Sequence, residues 1–458
     1  MVLPQEVPRE PQPARKLNRG RGGRRPRGPR GPDVAPRGVE QAAPEIVLED
    51  FESAAAASLL GLRSALTDLL HSVGADPLRP QQIARTHRLN KNLTWKISRI
   101  VGAELIAEIA AHLPGPAALD ILLEAMERAG APPERCEAVR DAAVRLGDLI
   151  ARHAGDRATL AVMLDELSPS PLRADRLEAA RRSAFLGNSA IWGVQARARV
   201  ICYALVPSRE PGAPHDAGVV DIVRISALLG FRRLRGSVRW PLFQAVFYND
   251  DGSPRSFRTV PIDPPQTVPV GASGDRAACP LIGSFCSTPM PVIEAVKTRT
   301  GLRFELPDGP VGTSHAIDVV LSDAIVAAAS IHADERNRVG SHPIHLFTPT
   351  AALMCDLLIH RDLPLRMPPS VRLYSRLTAD EGPPIESDRL PLLEQVQTLG
   401  AFPPAMATPL APRHAELVAH VLGRRGLALE EFSGWRFAMR NPPIAAVLNV
   451  SYPLLEAR

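Results

Sequence analysis

The sequence is poor in cysteine and in aromatic residues. Its 458 residues include five cysteines, none of them in a Cys-x-x-Cys pair, and only 4% are aromatic. Few and unpaired cysteines argue against a disulfide framework and predict a reducing compartment. No run of about 18 uncharged apolar residues occurs, and the first residues lack the apolar segment of a signal peptide. We therefore expect a soluble cytoplasmic protein with no membrane partner.

Motifs of several enzyme classes are also missing. No GxxxxGK[ST] phosphate loop, HExxH pair or GxSxG elbow occurs. His360-Arg361-Asp362-Leu363 copies the start of a kinase catalytic loop, but Met367 stands where the Mg²⁺-binding Asn belongs. We therefore predict that the chain is not an enzyme and needs no cofactor. The alternative is that residues 185–458 form an enzyme. This alternative is supported only by the size of that region and by the pocket that it could contain.

Length and composition predict several folded domains. A single hydrophobic core stops growing near roughly 250 to 300 residues, so 458 residues should divide. The apolar share of 45% and the charged share of 22% are those of a globular protein, which excludes collagen-like and wholly disordered chains. The 46 prolines are about twice the usual share and predict short, interrupted elements.

Residues 1–45 are predicted to form a disordered basic arm. They have no hydrophobic periodicity, and residues 15–38 hold nine basic side chains against one acid, Asp33. Such a segment cannot bury enough apolar surface to fold, but it can displace counterions from phosphates. A solubilising tail is the alternative. The arginines expected to contact nucleic acid are Arg19, Arg21, Arg24, Arg25, Arg27 and Arg30.

Hydrophobic spacing divides the rest of the chain in two. Residues 46–182 show the spacing of three and four that is typical of helices, as at Leu59, Leu62 and Leu66. Residues 185–458 contain short segments rich in Val, Ile and aromatics, which predict strands. The predicted fold class is therefore an all-helical N-terminal domain followed by a mixed α+β domain for sensing or dimerisation. The predicted helices are 59–73, 81–86, 91–101, 117–129, 133–153, 156–167, 172–182, 291–300 and 412–425, and the predicted strands are 199–206, 219–225, 242–248, 316–321 and 344–347.

Residues 80–101, PQQIARTHRLNKNLTWKISRIV, have the pattern of a helix-turn-helix. Ala84 is small where the two helices would pack, and Leu89 is the apolar residue of the turn. Asn90 is a favourable N-cap for the second helix. Leu93, Ile97 and Ile100 should face inward. Pairs of short helices in other all-helical domains can produce the same pattern, so the motif alone is a hypothesis.

This stretch resembles the helix-turn-helix of bacterial transcription regulators, and the recognition helices of biotin-operon-repressor-type winged domains in particular. There a small polar cap is followed by a Trp-Lys pair, as at Trp95 and Lys96. The sequence departs from that pattern at Arg88, where Gly is usual, and at Thr94, where Val or Ile normally faces the core. The resemblance implies binding to double-stranded DNA, normally as a homodimer on a two-fold operator.

The outer side of the second helix is predicted to contact DNA. Polar and basic side chains there can read base edges or hold phosphates in a major groove. The predicted DNA-binding residues are Arg85, Lys91, Asn92, Thr94, Lys96 and Arg99. We expect a sequence-specific transcriptional regulator whose C-terminal domain senses a small-molecule effector or oligomerises. The alternative is a non-enzymatic scaffold or assembly protein with general nucleic-acid affinity through its arm.

Three further stretches contain residues that could form a site. The side chains of His332, Asp334, His342 and His345 have the chemistry of zinc ligands, but His342 and His345 should point to opposite faces of a strand. Residues 187–195 combine two glycines, a tryptophan and polar groups, which is typical of a pocket loop or a hinge. The arginines of residues 231–235 could hold an anion or form a solvated face. No metal site is predicted.

Overall fold

A computed structural model describes residues 51–167, 172–209, 218–243, 247–248, 254–255, 257–271, 274–298, 301–335, 337–365, 368–377 and 385–456. The predicted basic arm, with Arg19, Arg21, Arg24, Arg25, Arg27 and Arg30, lies outside the described residues. No helix of the described part is long and apolar enough to cross a membrane.

The N-terminal region is helical, as predicted. Its helices are α1 (Phe51–Ser72), α2 (Pro80–Thr86), α3 (Lys91–Val101), α4 (Ile106–Ala111), α5 (Pro116–Arg128), α6 (Pro133–Leu149), α7 (Arg157–Leu167) and α8 (Leu172–Trp192), and one π-helical turn (Ile150–Ala154) follows α6. Proline stands at the first turn of α2, α5 and α6, where its missing N–H would have no partner anyway. The short helix α4 was not predicted.

One apolar core joins α1 to α7. Leu59, Leu62 and Leu66 of α1 are at most 1% exposed and pack in the same cluster as Ile97 of α3 and Val139 of α6. The spacing of three and four residues puts the leucines on one side of α1, as the sequence predicts. This core fixes α3 against α1, and Arg63 donates to the Ala103 carbonyl (2.8 Å) just beyond the end of α3.

The C-terminal region is rich in β-sheet. Its strands are β1 (Val194–Gln195), β2 (Ala198–Pro207), β3 (Val219–Arg233), β4 (Trp240–Phe243), β5 (Phe247–Tyr248), β6 (Pro254–Arg255), β7 (Arg258–Pro261), β8 (Gln266–Pro269), β9 (Arg276–Cys279), β10 (Glu294–Thr298), β11 (Gly301–Leu306), β12 (Ile317–Ser330), β13 (Val339–Leu346), β14 (Ala352–His360), β15 (Ser370–Ser375), β16 (Arg389–Leu390), β17 (Gln397–Ala401), β18 (Phe432–Arg440) and β19 (Ala446–Pro453). Helix α9 (His414–Arg424) lies among them, close to the predicted 412–425.

An eight-stranded sheet forms the centre of this region. Its order is β17-β18-β14-β2-β3-β12-β7, and β1 pairs with β3. The neighbours β14 and β2 run parallel, whereas the other pairs of this sheet are antiparallel. All nine residues of β14 are buried, as expected of a strand covered on both faces.

The two faces of the large sheet support separate cores. Along β2, Val200 and Ala204 belong to the core that contains the apolar side of α9. Ile201 and Leu205 belong to the opposite core, which contains side chains of the sheet β13-β19-β15-β16. This alternation follows from the two-residue period of a strand. A smaller cluster forms where β4, β8, β9, β10 and β11 pack beside β3 and β12.

Several secondary-structure predictions are wrong in detail. Residues 291–300, predicted as a helix, contain strand β10, which pairs with β11. The last N-terminal helix runs to Trp192 rather than to Arg182, so most of 187–195 is helix rather than a pocket loop.

Helix α8 packs on the sheet region. Its buried Arg181 pairs with Glu394 and donates to the Pro391 carbonyl (3.2 Å).

A charged cluster is buried between β14 and α9. Asp356 has no exposed surface, and its two carboxylate oxygens accept from Arg436 Nε and Nη2, both at 2.8 Å. His414 Nε2 lies 2.7 Å from the same carboxylate, and Arg436 Nη2 also donates to the Met406 carbonyl (3.0 Å). A buried charge is tolerated when such bonds satisfy it. The sequence gives no sign of this cluster, because its members belong to separate elements.

Candidate nucleic-acid interface

Helices α2 and α3 are joined by the turn 87–90, at the positions the sequence predicts. Ala84 of α2 and Leu89 of the turn are buried, and the Leu89 N–H donates to the Ala84 carbonyl (3.0 Å). Arg88 has a left-handed φ of 56°, at the position where the resemblance has Gly. This conformation is strained for a residue other than glycine. Burial of the neighbouring Leu89 stabilises the turn against that strain.

Asn90 caps α3, as predicted. Its backbone is extended, and its side-chain Oδ1 accepts from the Asn92 N–H at 2.8 Å. The cap gives a partner to one of the free N–H groups at the start of the helix. It therefore fixes the residue at which α3 begins, and with it the direction of the first side chains of the helix.

Replacing Asn90 by alanine should remove this bond and destabilise the helical region by about 1 kcal/mol. Thermal unfolding followed by far-ultraviolet circular dichroism would measure the change. Asn90→Asp is the control, since aspartate keeps an oxygen that can accept from the Asn92 N–H. An equal loss of stability in both variants would contradict the capping role.

The inward face of α3 is as predicted, with one correction. Leu93, Ile97 and Ile100 are at most 7% exposed. Thr94, which we predicted to point towards DNA, is only 1% exposed, so that prediction is wrong. Its position next to Leu93 and three residues before Ile97 places it on the inner side, and its hydroxyl donates to the Lys91 carbonyl (3.1 Å).

The remaining predicted residues form an open surface, which we call the basic face: Arg85, Lys91, Asn92, Lys96 and Arg99. All are exposed except Lys96, which is half-buried. Among the described residues, no carboxylate forms an ion pair with a cation of the basic face. Three positive charges therefore lie along the outer side of α3 and a fourth lies on α2.

Trp95 lies on the same side and was not predicted as a contact. Its ring is 47% exposed and meets the His112 ring edge to face, with centroids 5.1 Å apart. Burial lowers the pKa of His112, and the charges of Arg99 and Lys96 lower it further, while Glu108 acts in the opposite direction. The neighbouring imidazole thus experiences the positive potential of the basic face.

The metal hypothesis fails in the described residues, where no three potential ligands gather. His342 is buried and His345 is exposed, on opposite faces of β13 as predicted. Asp334 instead accepts from the Asn337 N–H (2.6 Å). His332 Nδ1 lies 3.1 Å from the Glu456 carbonyl oxygen.

The arginines of residues 231–235 have structural partners. Arg233 is 7% exposed and donates to the Val238 carbonyl (3.0 Å) and to that of Pro307. Arg235 donates to the carbonyl oxygens of Ala190 and Ile191 at the end of α8. These contacts hold the turn after β3 and the end of α8, so the cluster is neither an open anion site nor a fully solvated face.

Comparison with known proteins identifies no family. No family model and no curated protein matches the chain. Among solved structures, the chain is weakly similar to the crystal structure of a "putative protease" from Parabacteroides distasonis, at 9% identity and a TM-score of 0.24. The match covers 57% of this chain and 40% of that one. A likeness of this size supports no conclusion about fold or activity.

Proposed function

We propose that this chain is a sequence-specific DNA-binding transcriptional regulator, in which α2, the turn 87–90 and α3 act as a helix-turn-helix. The observation that carries the proposal is the open basic face on the outer side of α3, opposite a buried apolar side. A recognition helix needs this division, because one side anchors it to its domain while the other enters the major groove. The resemblance of residues 90–96 to biotin-operon-repressor-type helices agrees with it.

The beginning of α3 is the part that reads bases. Residues near the N-terminus of a recognition helix reach base edges, and Lys91 and Asn92 stand at its first two positions. An Asn amide can pair with the N6 and N7 edge of adenine, and a Lys can donate to guanine. The Asn90 cap fixes where these two side chains project.

The other cations hold the DNA backbone. Lys96 and Arg99 lie one and two turns further along α3, and Arg85 lies in the last turn of α2. Each phosphate contact releases condensed counterions, so affinity should fall steeply with salt. Since one such module binds weakly, we propose a homodimer on a two-fold site, with the sheet-rich region sensing an effector or holding the dimer.

The test is selection of bound duplexes from a random pool with the purified chain at physiological salt. Enrichment of one motif is expected. Lys91→Ala/Asn92→Ala should then lose discrimination against single-base changes in that motif by about tenfold or more. Deletion of residues 15–38 should lower the affinity for all duplexes evenly and make the salt dependence shallower.

Arg145→Ala is the matched control, since Arg145 is an exposed cation of α6 outside the basic face. It should keep both the selected motif and its affinity. If no motif is enriched and the chain binds all duplexes alike, the regulator proposal fails. The scaffold with general nucleic-acid affinity is then favoured.

A further inference from the structure

A cavity of about 90 Å³ opens at one end of the central sheet. It is lined by Pro207 at the end of β2 and by His360 at the end of β14. These two strands are parallel neighbours, so both carboxyl ends open into the same space. The crevice at the carboxyl ends of parallel strands is where open sheets commonly bind ligands. We call it the strand-end cavity.

Arg425 is fixed at the wall of this cavity. Its Nη2 donates to Asp221 Oδ2 at 3.0 Å, and the second oxygen of Asp221 accepts from the Ala327 N–H at 2.9 Å. The Asp221 side chain is only 3% exposed, so both of its oxygens are engaged from inside the protein. A guanidinium has five N–H donors, and the bond to Asp221 leaves others for a ligand.

Arg209 provides a second cation beside the first. It is exposed, and among the described residues no carboxylate forms an ion pair with it. A Cβ placed on Gly426 would lie 4.0 Å from Arg209 Nη1, which puts this guanidinium against the residue that follows Arg425. Both guanidinium groups line the same small cavity. Within the described residues, Arg425 is paired with a carboxylate and Arg209 is not. Guanidinium donors that line one cavity can hold the oxygens of an anion.

His360 and Asp362 complete the charged lining. His360 is 5% exposed and its Nδ1 accepts from the Asp362 N–H (3.2 Å). Its Nε2 has no hydrogen-bond partner within the described residues, and Glu431 Oε1 lies 3.7 Å away. The Asp362 carboxylate is 68% exposed and is the charge that opposes an anion.

We infer that the strand-end cavity binds the oxyanion group of a small molecule, a phosphate or a carboxylate, between Arg209 and Arg425. Forked guanidinium donors match the oxygens of both groups. The cavity of about 90 Å³ has room for such a group, and the rest of the ligand would extend outwards. This site belongs to the sheet region alone and is independent of DNA binding.

The test is calorimetric titration of the full chain with inorganic phosphate, with acetate and with chloride, at equal ionic strength and without DNA. Saturable heat with phosphate or acetate, and none with chloride, is expected. The ion that binds tighter identifies the group. Arg209→Gln should weaken this binding by about tenfold or more, since a hydrogen bond to a charged group contributes about 1.5 to 3 kcal/mol.

Three further variants, one of them a control, test the assignment without disturbing the fold. Asp362→Asn removes the exposed opposing charge and should tighten binding, while Arg145→Gln, on the helical region, should leave it unchanged. Arg425→Lys keeps a cation beside Asp221 but loses the fork, and it should weaken binding as Arg209→Gln does. Saturable heat that is equal in the native chain and in Arg209→Gln, or no saturable heat with either oxyanion, would overturn the inference.

Discussion

Replacing Arg436 by alanine is expected to lower the free energy of unfolding by about 3 to 5 kcal/mol. The substitution removes both hydrogen bonds from Arg436 to the buried Asp356 carboxylate and leaves His414 as its remaining side-chain partner. A carboxylate with no exposed surface cannot recover these bonds from water. The Met406 carbonyl loses a donor as well.

Urea denaturation followed by tryptophan fluorescence would measure this loss. Of the four tryptophans, Trp240 and Trp435 lie in strands of the sheet region and report on its unfolding. Arg389→Ala is the control, because Arg389 forms an exposed pair with Glu386 that contributes at most about 1 kcal/mol. The double variant Asp356→Leu/Arg436→Met should be more stable than Arg436→Ala, since it leaves no unpaired buried charge. If Arg436→Ala behaves like Arg389→Ala, the cluster has no such role.

Lowering the pH from about 6.5 to 4 should destabilise the sheet region through His342. Burial lowers the pKa of His342 to about 4, and the positive charge of Arg224 adds to this effect. The ring stacks on Tyr203, with centroids 4.6 Å apart, and its Nε2 lies 3.3 Å from Tyr452 Oη. Between these pH values His342 takes up a proton in the unfolded chain, whereas burial disfavours its protonation in the folded chain. The stabilisation that comes from this difference is therefore complete above pH 6.5. As the pH falls towards 4, the free energy of unfolding decreases by about 3 kcal/mol.

His342→Gln should flatten this part of the stability profile, because glutamine does not titrate. Urea denaturation at a series of pH values, compared with the native chain, would show the difference. His71→Gln is the control, since His71 is exposed at the end of α1 and should leave the profile unchanged. Parallel profiles for His342→Gln and the native chain would contradict the assignment.

Local patterns were enough to predict the helical region and most of the basic face. The leucine spacing predicts the buried side of α1, and the capping residue Asn90 predicts where α3 begins. Both features can be predicted because each depends only on residues within one or two helical turns. Thr94 was misplaced because a polar residue was assumed to face water. Its place beside Leu93 is set by helix geometry, and its hydroxyl is satisfied by a backbone carbonyl of its own helix.

Features that depend on distant residues could not be predicted. Residues 291–300 begin with a proline, as helices often do, but pairing with β11 makes Glu294–Thr298 a strand. Asp356 has its partners on β18 and α9, and the strand-end cavity draws its charges from four separate segments. No pattern in a single stretch of sequence indicates which of these segments meet.

Strand β14 also determines the order in which the chain can assemble. Its neighbours are β2, far earlier in the sequence, and β18, which contributes Arg436, 80 residues after Asp356. Helices α1 to α7 share one core within residues 51–167, so this region can fold while synthesis continues. The central sheet must wait until almost the whole polypeptide has left the ribosome. Until β14 has been made, β2 lacks its parallel neighbour, so one edge of the nascent sheet stays unpaired.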